Sequence, residues 1–441
     1  MNANELRETH AHHVLTPWGV QGTLNPPMIV RGAGSFLYDS DGSRYLDLAS
    51  GLISVNLGHS HPKVVNAIQD QATRLCYAAP SFFNDARAEL AAELTKLMPW
   101  NESGRVFFTT GGAEANEDAV KMVRMVTGRA KILTAYRSFH GSAPGAGTLT
   151  GENRRWVNEP GIPNVVHFWT PYPYRSPFHT DDPKVEVERA LEHLELVVNY
   201  ENSSSIAAIL LEPVVGSNGV IVYPEGYLQG VRDICDRYGI MLIADEVMTG
   251  FGRTGSVFGH TRLGFVPDLI TFAKGVTSSY LPLGGVMVRE SLASYFDDHA
   301  LMCGHTYSGH PMSVAAGVAT LRVYREEGLY ERGREIESWL RAGLEELQRK
   351  HPVIGEVRGL GSFFALELVK DRATREPLVE WQGKSQGPMP AFYSELRKRG
   401  AHTFGRYNVV MVAPPLTVTR AELDEGLRAL DGAFASLTVT A

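Results

Sequence analysis

The chain has 441 residues, 44% of them apolar and 21% charged, with a formal net charge of −7. That length implies two domains, or one large and one small. The composition excludes a mostly disordered chain, and the absence of a basic stripe argues against nucleic acid as a partner. Cys76, Cys235 and Cys303 stand far apart with no CxxC pair, so no disulfide framework is expected and a cytoplasmic, reducing setting fits. The first residues lack the apolar core of a secretory signal, and no apolar run reaches about 18 residues, so no membrane span is expected.

Residues 1–60 read as an irregular arm followed by short strands. His10, His12 and His13 on that arm read as solvated side chains, because no partner of metal-ligand spacing accompanies them. Ser35–Gly42 and Arg44–Leu48 flank an Asp-Gly turn and predict a hairpin. From about 62 to 320 helix and strand patterns alternate. Ala86–Met98 has helical spacing, Arg105–Thr109 is a short strand, and Glu114–Thr127 is a helix after a glycine turn. Lys131–Ala135, Ile206–Glu212, Met241–Asp245, Leu269–Ala273 and Gly284–Val288 are short apolar runs. This alternation predicts an α/β fold, a mostly parallel sheet covered by helices. Residues 151–185, rich in Pro and Tyr, predict a long loop. A helix over Leu329–Lys350 and a strand over Phe363–Val369 open a smaller α+β domain. The expected division is 1–60 packing with the small domain, 61–324 as the large domain, and 325–441 as the small one.

Three apolar strands each end in an ionisable residue. Ile206–Glu212 ends in Glu212, Met241–Asp245 in Asp245, and Leu269–Ala273 delivers Lys274. Strand C-termini are where open α/β sheets place ligands. Each residue alone has a plain reading: a loop carboxylate, a capping or salt-bridged acid, a surface lysine past a strand. A desolvated amine, however, loses its proton easily and becomes a nucleophile, and a buried acid can keep a pyridinium nitrogen protonated. Together they read as a Schiff-base lysine, Lys274, and a pyridinium partner, Asp245, of an enzyme that uses pyridoxal 5'-phosphate (PLP). Thr109–Asn116 runs from a strand through Gly111 and Gly112 into a helix, which is either an anion site or a plain glycine turn. Phe139-His140 follows a strand end, where an aromatic either stacks on a planar cofactor or packs a core.

Two other motifs carry less. Gly250-Phe-Gly252-Arg-Thr-Gly255 matches GxGxxG, but no clear helix follows and the expected downstream acid is missing. Met241–Glu246 resembles a Walker B strand, yet no GxxxxGK[ST] run exists in the chain.

From about Asp39 to Leu430 the chain resembles the class III, or ω-type, aminotransferases of PLP fold type I. The stretches that carry the resemblance are Gly112–Asn116, Phe139–Gly141, Glu212-Pro213, Asp245–Gly255, Phe272–Gly275, His305–Pro311 and Val412–Leu416. The resemblance implies PLP as cofactor, with Lys274 bound to it and later moving a proton. It implies Asp245 on the pyridine nitrogen, Phe139 and Val247 on the two ring faces, His140 near the ring edge and Glu212 beside the ring. Backbone N–H groups of Gly112 and Ala113 would hold the phosphate. Thr306 would reach the phosphate of a neighbouring subunit, which implies a homodimer, with a tetramer left open. The chain departs from the family pattern in three places. Gly111-Gly112-Ala113 replaces Ser-Gly-Ser, Met411 stands where some branches have an arginine, and Ile53 stands in a segment where another branch often has Trp. Arg406 is then the expected carboxylate-binding arginine, with Ile53, Tyr77, Phe82 and Phe83 as expected substrate-pocket residues. The expected activity is ping-pong transfer of an amino group from a terminal amine or ω-amino acid to pyruvate or 2-oxoglutarate. A mutase, racemase or decarboxylase on the same fold, and a catalytically silent binding protein, are the alternatives.

Overall fold

The computed structural model describes residues 2–383 and 385–437, so the last four positions of the expected small domain lie outside the described residues. At its centre is a seven-stranded sheet. Its order is Gly104–Thr109, Gly284–Arg289, Leu269–Phe272, Met241–Asp245, Ile206–Leu211, Lys131–Ala135, Val165–Phe168. Gly284–Arg289 runs antiparallel to both of its neighbours, and the other pairings are parallel. Ile206–Leu211 is buried along its whole length. Helices cover both faces of such a sheet, so its strands are continuous apolar runs rather than alternating ones.

Register decides what reaches the strand ends. Asp245 pairs with Thr271 and Ala244 with Leu211. Glu212, Asp245 and Lys274 therefore leave neighbouring parallel strands at one edge of the sheet. The helix Gly112–Thr127 starts at the same edge and packs its buried face, including Ala115, Ala119 and Val123, on the sheet.

A second sheet contains Ile354–Leu360, Phe363–Asp371, Val409–Val412 and Gly405–Arg406. The expected hairpin forms between Phe36–Asp39 and Arg44–Asp47, with Tyr38 opposite Arg44. Asp39 closes its turn by accepting the backbone N–H of Asp41 and Ser43 at 3.0 and 2.8 Å. Arg44–Asp47 also pairs in parallel with Ala401–His402.

Two expectations need correction. The arm is helical over Ala3–His13, because Asn2 caps it and Glu5 completes a capping box; none of its residues is buried. The 151–185 segment is not all loop. It holds the edge strand Val165–Phe168 and turns of 3-10 helix at Asn153–Asn158 and Pro173–Arg175. An edge strand of four residues is too short to show a period in sequence.

Candidate active site

The three strand ends open into a cavity of about 500 Å³, lined among others by Gly112, Phe139, Glu212, Asp245, Val247 and Lys274. Lys274 begins a short 3-10 turn with φ of +46°, a strained setting for a non-glycine residue. Its amine donates no hydrogen bond to the described residues. Burial pushes it down to about 8; Asp245 and Glu212 oppose that shift, and the charges of Arg154 and Arg253 add to it. The amine is thus poised near neutrality as a base or nucleophile.

Asp245 is 3% exposed. Asn116 Nδ2 donates to its Oδ2 at 2.8 Å, and His140 Nδ1 lies 2.7 Å from the same oxygen. The Val247 N–H donates to Oδ1 at 3.1 Å. Asn116 is itself held: it donates to the His140 carbonyl at 2.9 Å and accepts the Thr271 hydroxyl at 2.7 Å. A carboxylate oriented this firmly can face a ring N–H with little reorganisation.

Glu212 accepts the N–H of Phe139 at 2.9 Å and of Gly216 at 2.8 Å. Burial raises its carboxyl to about 7; Asp245 adds to the rise, and His140 and the two N–H groups oppose it. Across the cavity, the helix starting at Gly112 has no side chain capping its first N–H groups. Thr110 turns both its N–H and its hydroxyl to Glu114, at 2.8 and 2.7 Å. A Cβ at Gly112 would lie 2.8 Å from the Val247 side chain, so glycine is what lets the turn approach that residue. Open N–H groups at the start of a 16-residue helix form an anion site.

Behind this floor is a charged wall. Arg154 Cζ sits 3.7 Å over the Phe139 ring. Its Nε pairs with Glu152, and NH2 donates to Ser217 at 2.7 Å. Arg406 NH2 lies 2.5 Å from the other oxygen of Glu152. Glu152 is 3% exposed and so bridges two guanidinium groups.

Several expected residues stand elsewhere. Neither Arg406 nor Arg154 lines the Lys274 cavity: Arg406 is engaged with Glu152 and Asn153, and Arg154 adjoins the cavity through the Phe139 ring that it covers. Ile53 is buried in an apolar cluster with Val214, Phe363 and Met411, where it fills core and not the cavity. Tyr77, Phe82 and Phe83 lie at the surface of the chain, Phe83 fully so. Tyr77 donates to the Thr306 carbonyl at 3.0 Å, and Thr306 is likewise exposed. The GxGxxG run surrounds the fully buried Arg253, which donates to Asn56 at 2.6 Å and to the Pro414 carbonyl at 2.7 Å.

Arg154, Trp18 and Asn116 had no role assigned from sequence. Trp18 lines the cavity from the N-terminal segment. Arg154 and Trp18 lie in segments without hydrophobic periodicity. Asn116 lies in the Gly112–Asn116 motif, where its spacing of four from the helix start is the available signal.

The model of the aminotransferase class-III family matches residues 20–434. The chain belongs to the class III aminotransferases. It is 36% identical over 429 residues to a 5-aminovalerate aminotransferase of Pseudomonas aeruginosa, covering 96% of each chain. Among solved structures it is similar to a taurine:2-oxoglutarate aminotransferase from Bifidobacterium kashiwanohense in complex with PLP and glutamate. There the identity is 42%, the TM-score 0.95, and the coverage 99% and 98%. It is also similar to an (S)-enantioselective omega-transaminase from Thermomicrobium roseum, at 36% identity, TM-score 0.94 and 99% of each chain. These neighbours establish PLP fold type I, and class III aminotransferases depend on PLP. The cavity fits that group: an uncapped helix start for a phosphate, a buried acid for a ring nitrogen, and an amine of lowered pKa. Among the described residues, no helix is long and apolar enough to cross a membrane.

Proposed function

We propose that this class III aminotransferase is an ω-transaminase. It moves an amino group from a terminal amine or ω-amino acid, of the alkyl amine, taurine or β-alanine type, to an α-keto acid such as pyruvate or 2-oxoglutarate. The observation that carries the reading is the pairing of the Lys274, Asp245 and Glu212 floor with an arginine, Arg154, stacked on Phe139. The floor suits any PLP reaction, whereas the arginine suits an acceptor that carries a carboxylate. The relatives' names, with 5-aminovalerate, taurine and 2-oxoglutarate among them, support the same substrate classes.

PLP, when bound, supplies a carbonyl carbon for the amine and a ring that accepts electrons. Lys274 would hold the cofactor at rest. Freed by the donor amine, Lys274 would be the base that takes the proton from the amine-bearing carbon. Asp245, oriented by Asn116 and His140, would keep the proton on the ring nitrogen. Gly112 and Ala113 would hold the phosphate on backbone N–H groups, Phe139 and Val247 would flank the ring, and Glu212 would lie beside it. Arg154 takes the carboxylate of the keto acid in place of Glu152, and Arg406 steadies Glu152. A donor without a carboxylate leaves Glu152 on Arg154, which neutralises the guanidinium. The two substrates thus use one cavity in turn, as ping-pong transfer requires.

The active unit we propose is a homodimer. Arg87 ties Pro80 and Phe82 carbonyls to those of Ser308 and Gly309. The exposed Phe82, Phe83 and Tyr307 therefore belong to one stitched surface that also carries Tyr77 and Thr306. A second copy covering it would bring Thr306 to the neighbouring phosphate.

The test is a half-reaction titration of PLP-loaded enzyme with 1-phenylethylamine, taurine, β-alanine, 4-aminobutyrate and L-ornithine. The cofactor's visible absorbance should be lost with a terminal amine and return with pyruvate or 2-oxoglutarate. An enzyme that holds PLP but responds to none of these amines would sink the proposal.

A further inference from the structure

A second cavity, of about 560 Å³, is lined by Glu152 and Arg406 and shares no lining residue with the Lys274 cavity. It opens between the 136–175 and 218 segments and the edge of the Phe363–Asp371 and Val409–Val412 sheet. Its volume is in the range of small-molecule sites. Four arginines line it, Arg137, Arg155, Arg175 and Arg406, against two acids, Glu152 and Glu367.

Both acids are already occupied. Glu152 pairs with Arg154 and Arg406. Glu367 accepts the Tyr172 hydroxyl, Arg175 Nε and, at 2.7 Å, Arg358 NH1. Two guanidinium groups are left over. Arg155 has Glu159 at 3.8 Å, beyond hydrogen-bond reach. Arg137 forms neither a hydrogen bond nor an ion pair through its side chain among the described residues; it lies 4.8 Å over the Tyr172 ring. Desolvation pulls this guanidinium below the ordinary arginine range. Its backbone is clamped nonetheless: the N–H donates to Gly151 O at 2.8 Å, the carbonyl accepts Asn218, and φ is +68°. An arginine held in a left-handed backbone and partly desolvated without a hydrogen-bonded partner costs folding free energy, and such strain collects at ligand sites.

The rest of the lining mixes aromatic rings with the amides of Asn153, Asn218 and Asn408. Tyr136 and Trp169 lie 4.6 Å apart, and Trp156 stands at the rim, 48% exposed. We propose that this cavity is a second ligand site, for a small aromatic carboxylate. Its carboxylate would pair with Arg137 and Arg155, and its ring would lie against Tyr136, Trp169 and Tyr172. A guanidinium fork binds a carboxylate through two parallel hydrogen bonds, and offset aromatic contacts add to the burial.

The test is calorimetric titration of the PLP-loaded enzyme with benzoate, with acetate as the non-aromatic control. Benzoate should bind saturably and tighter than acetate. In R137Q, with its PLP spectrum intact, benzoate affinity should fall about 10- to 100-fold, the scale of a lost charged hydrogen-bond pair. R155Q and W169L change partly exposed residues at the rim and should each weaken binding several-fold, so the test survives if R137Q does not fold. R154Q should leave this binding in place. The proposal is overturned if benzoate does not saturate, if acetate binds as tightly, or if R154Q abolishes binding while R155Q and W169L leave it unchanged.

Discussion

The floor of the Lys274 cavity and the wall behind it are both built around a buried carboxylate, yet they are built differently. Asp245 ends a central parallel strand and is held by Asn116, His140 and the Val247 N–H, which are neutral amide donors and an imidazole. Glu152 lies on a connecting segment and is held by two guanidinium groups, one from its own segment and one from Gly405–Arg406. The first arrangement leaves one orientation. The second can exchange a partner, because a substrate carboxylate offers Arg154 what Glu152 offers. In the function proposed here, chemistry common to every substrate would sit on rigid strands, and discrimination between substrates on the segments that connect them.

The sharpest way to break this contrast is to remove the amine. K274A should lower transamination by at least about 10³-fold, and borohydride should no longer fix PLP to the chain, as mass spectrometry reads. D245N comes next: kcat should drop about 10²-fold or more, since an amide no longer favours a positive ring nitrogen, and PLP should dissociate faster on dialysis. On the wall the effect should be smaller and of a different kind. R154Q should raise KM for the keto acid about 10- to 100-fold, the scale of a charged hydrogen bond, and barely change the half-reaction with an uncharged amine. Equal losses with both substrates would merge wall and floor into one unit.

The smallest effect is on stability. The Glu212 carboxyl is raised to about 7 from 4.5. The folded state therefore holds more protons than the unfolded state between these values, and stability falls as pH rises through that window. The contribution is of order 3 kcal/mol. Urea unfolding of the apo-enzyme at pH 4.5 and 7.5 should show it, and E212Q should flatten the difference.

Much of the floor was legible in the chain because a doubly covered parallel strand is a continuous apolar run, so the ionisable residue at its end stands out. Ile206–Leu211, Met241–Asp245 and Leu269–Phe272 are such runs, and register then sets Glu212, Asp245 and Lys274 side by side. The wall was not legible in the same way. Arg154 and Glu152 lie in a Pro- and Tyr-rich stretch without periodicity, and Arg406 drew attention through its distance from Ala413-Pro-Pro415. Spacing along the chain cannot tell which arginine a folded carboxylate will hold.

By itself, then, the sequence determined the family, the α/β alternation and the three strand ends, because each is encoded by a local apolar pattern or a contiguous motif. Tertiary structure alone decided that Ile53 is core, that Phe82 and Phe83 are surface, and that Glu152 stands between Arg154 and Arg406. Those facts depend on contacts between segments far apart in the chain, such as Ile53 with Met411 and Glu152 with Arg406, and no local pattern records which distant partner a buried charge will find.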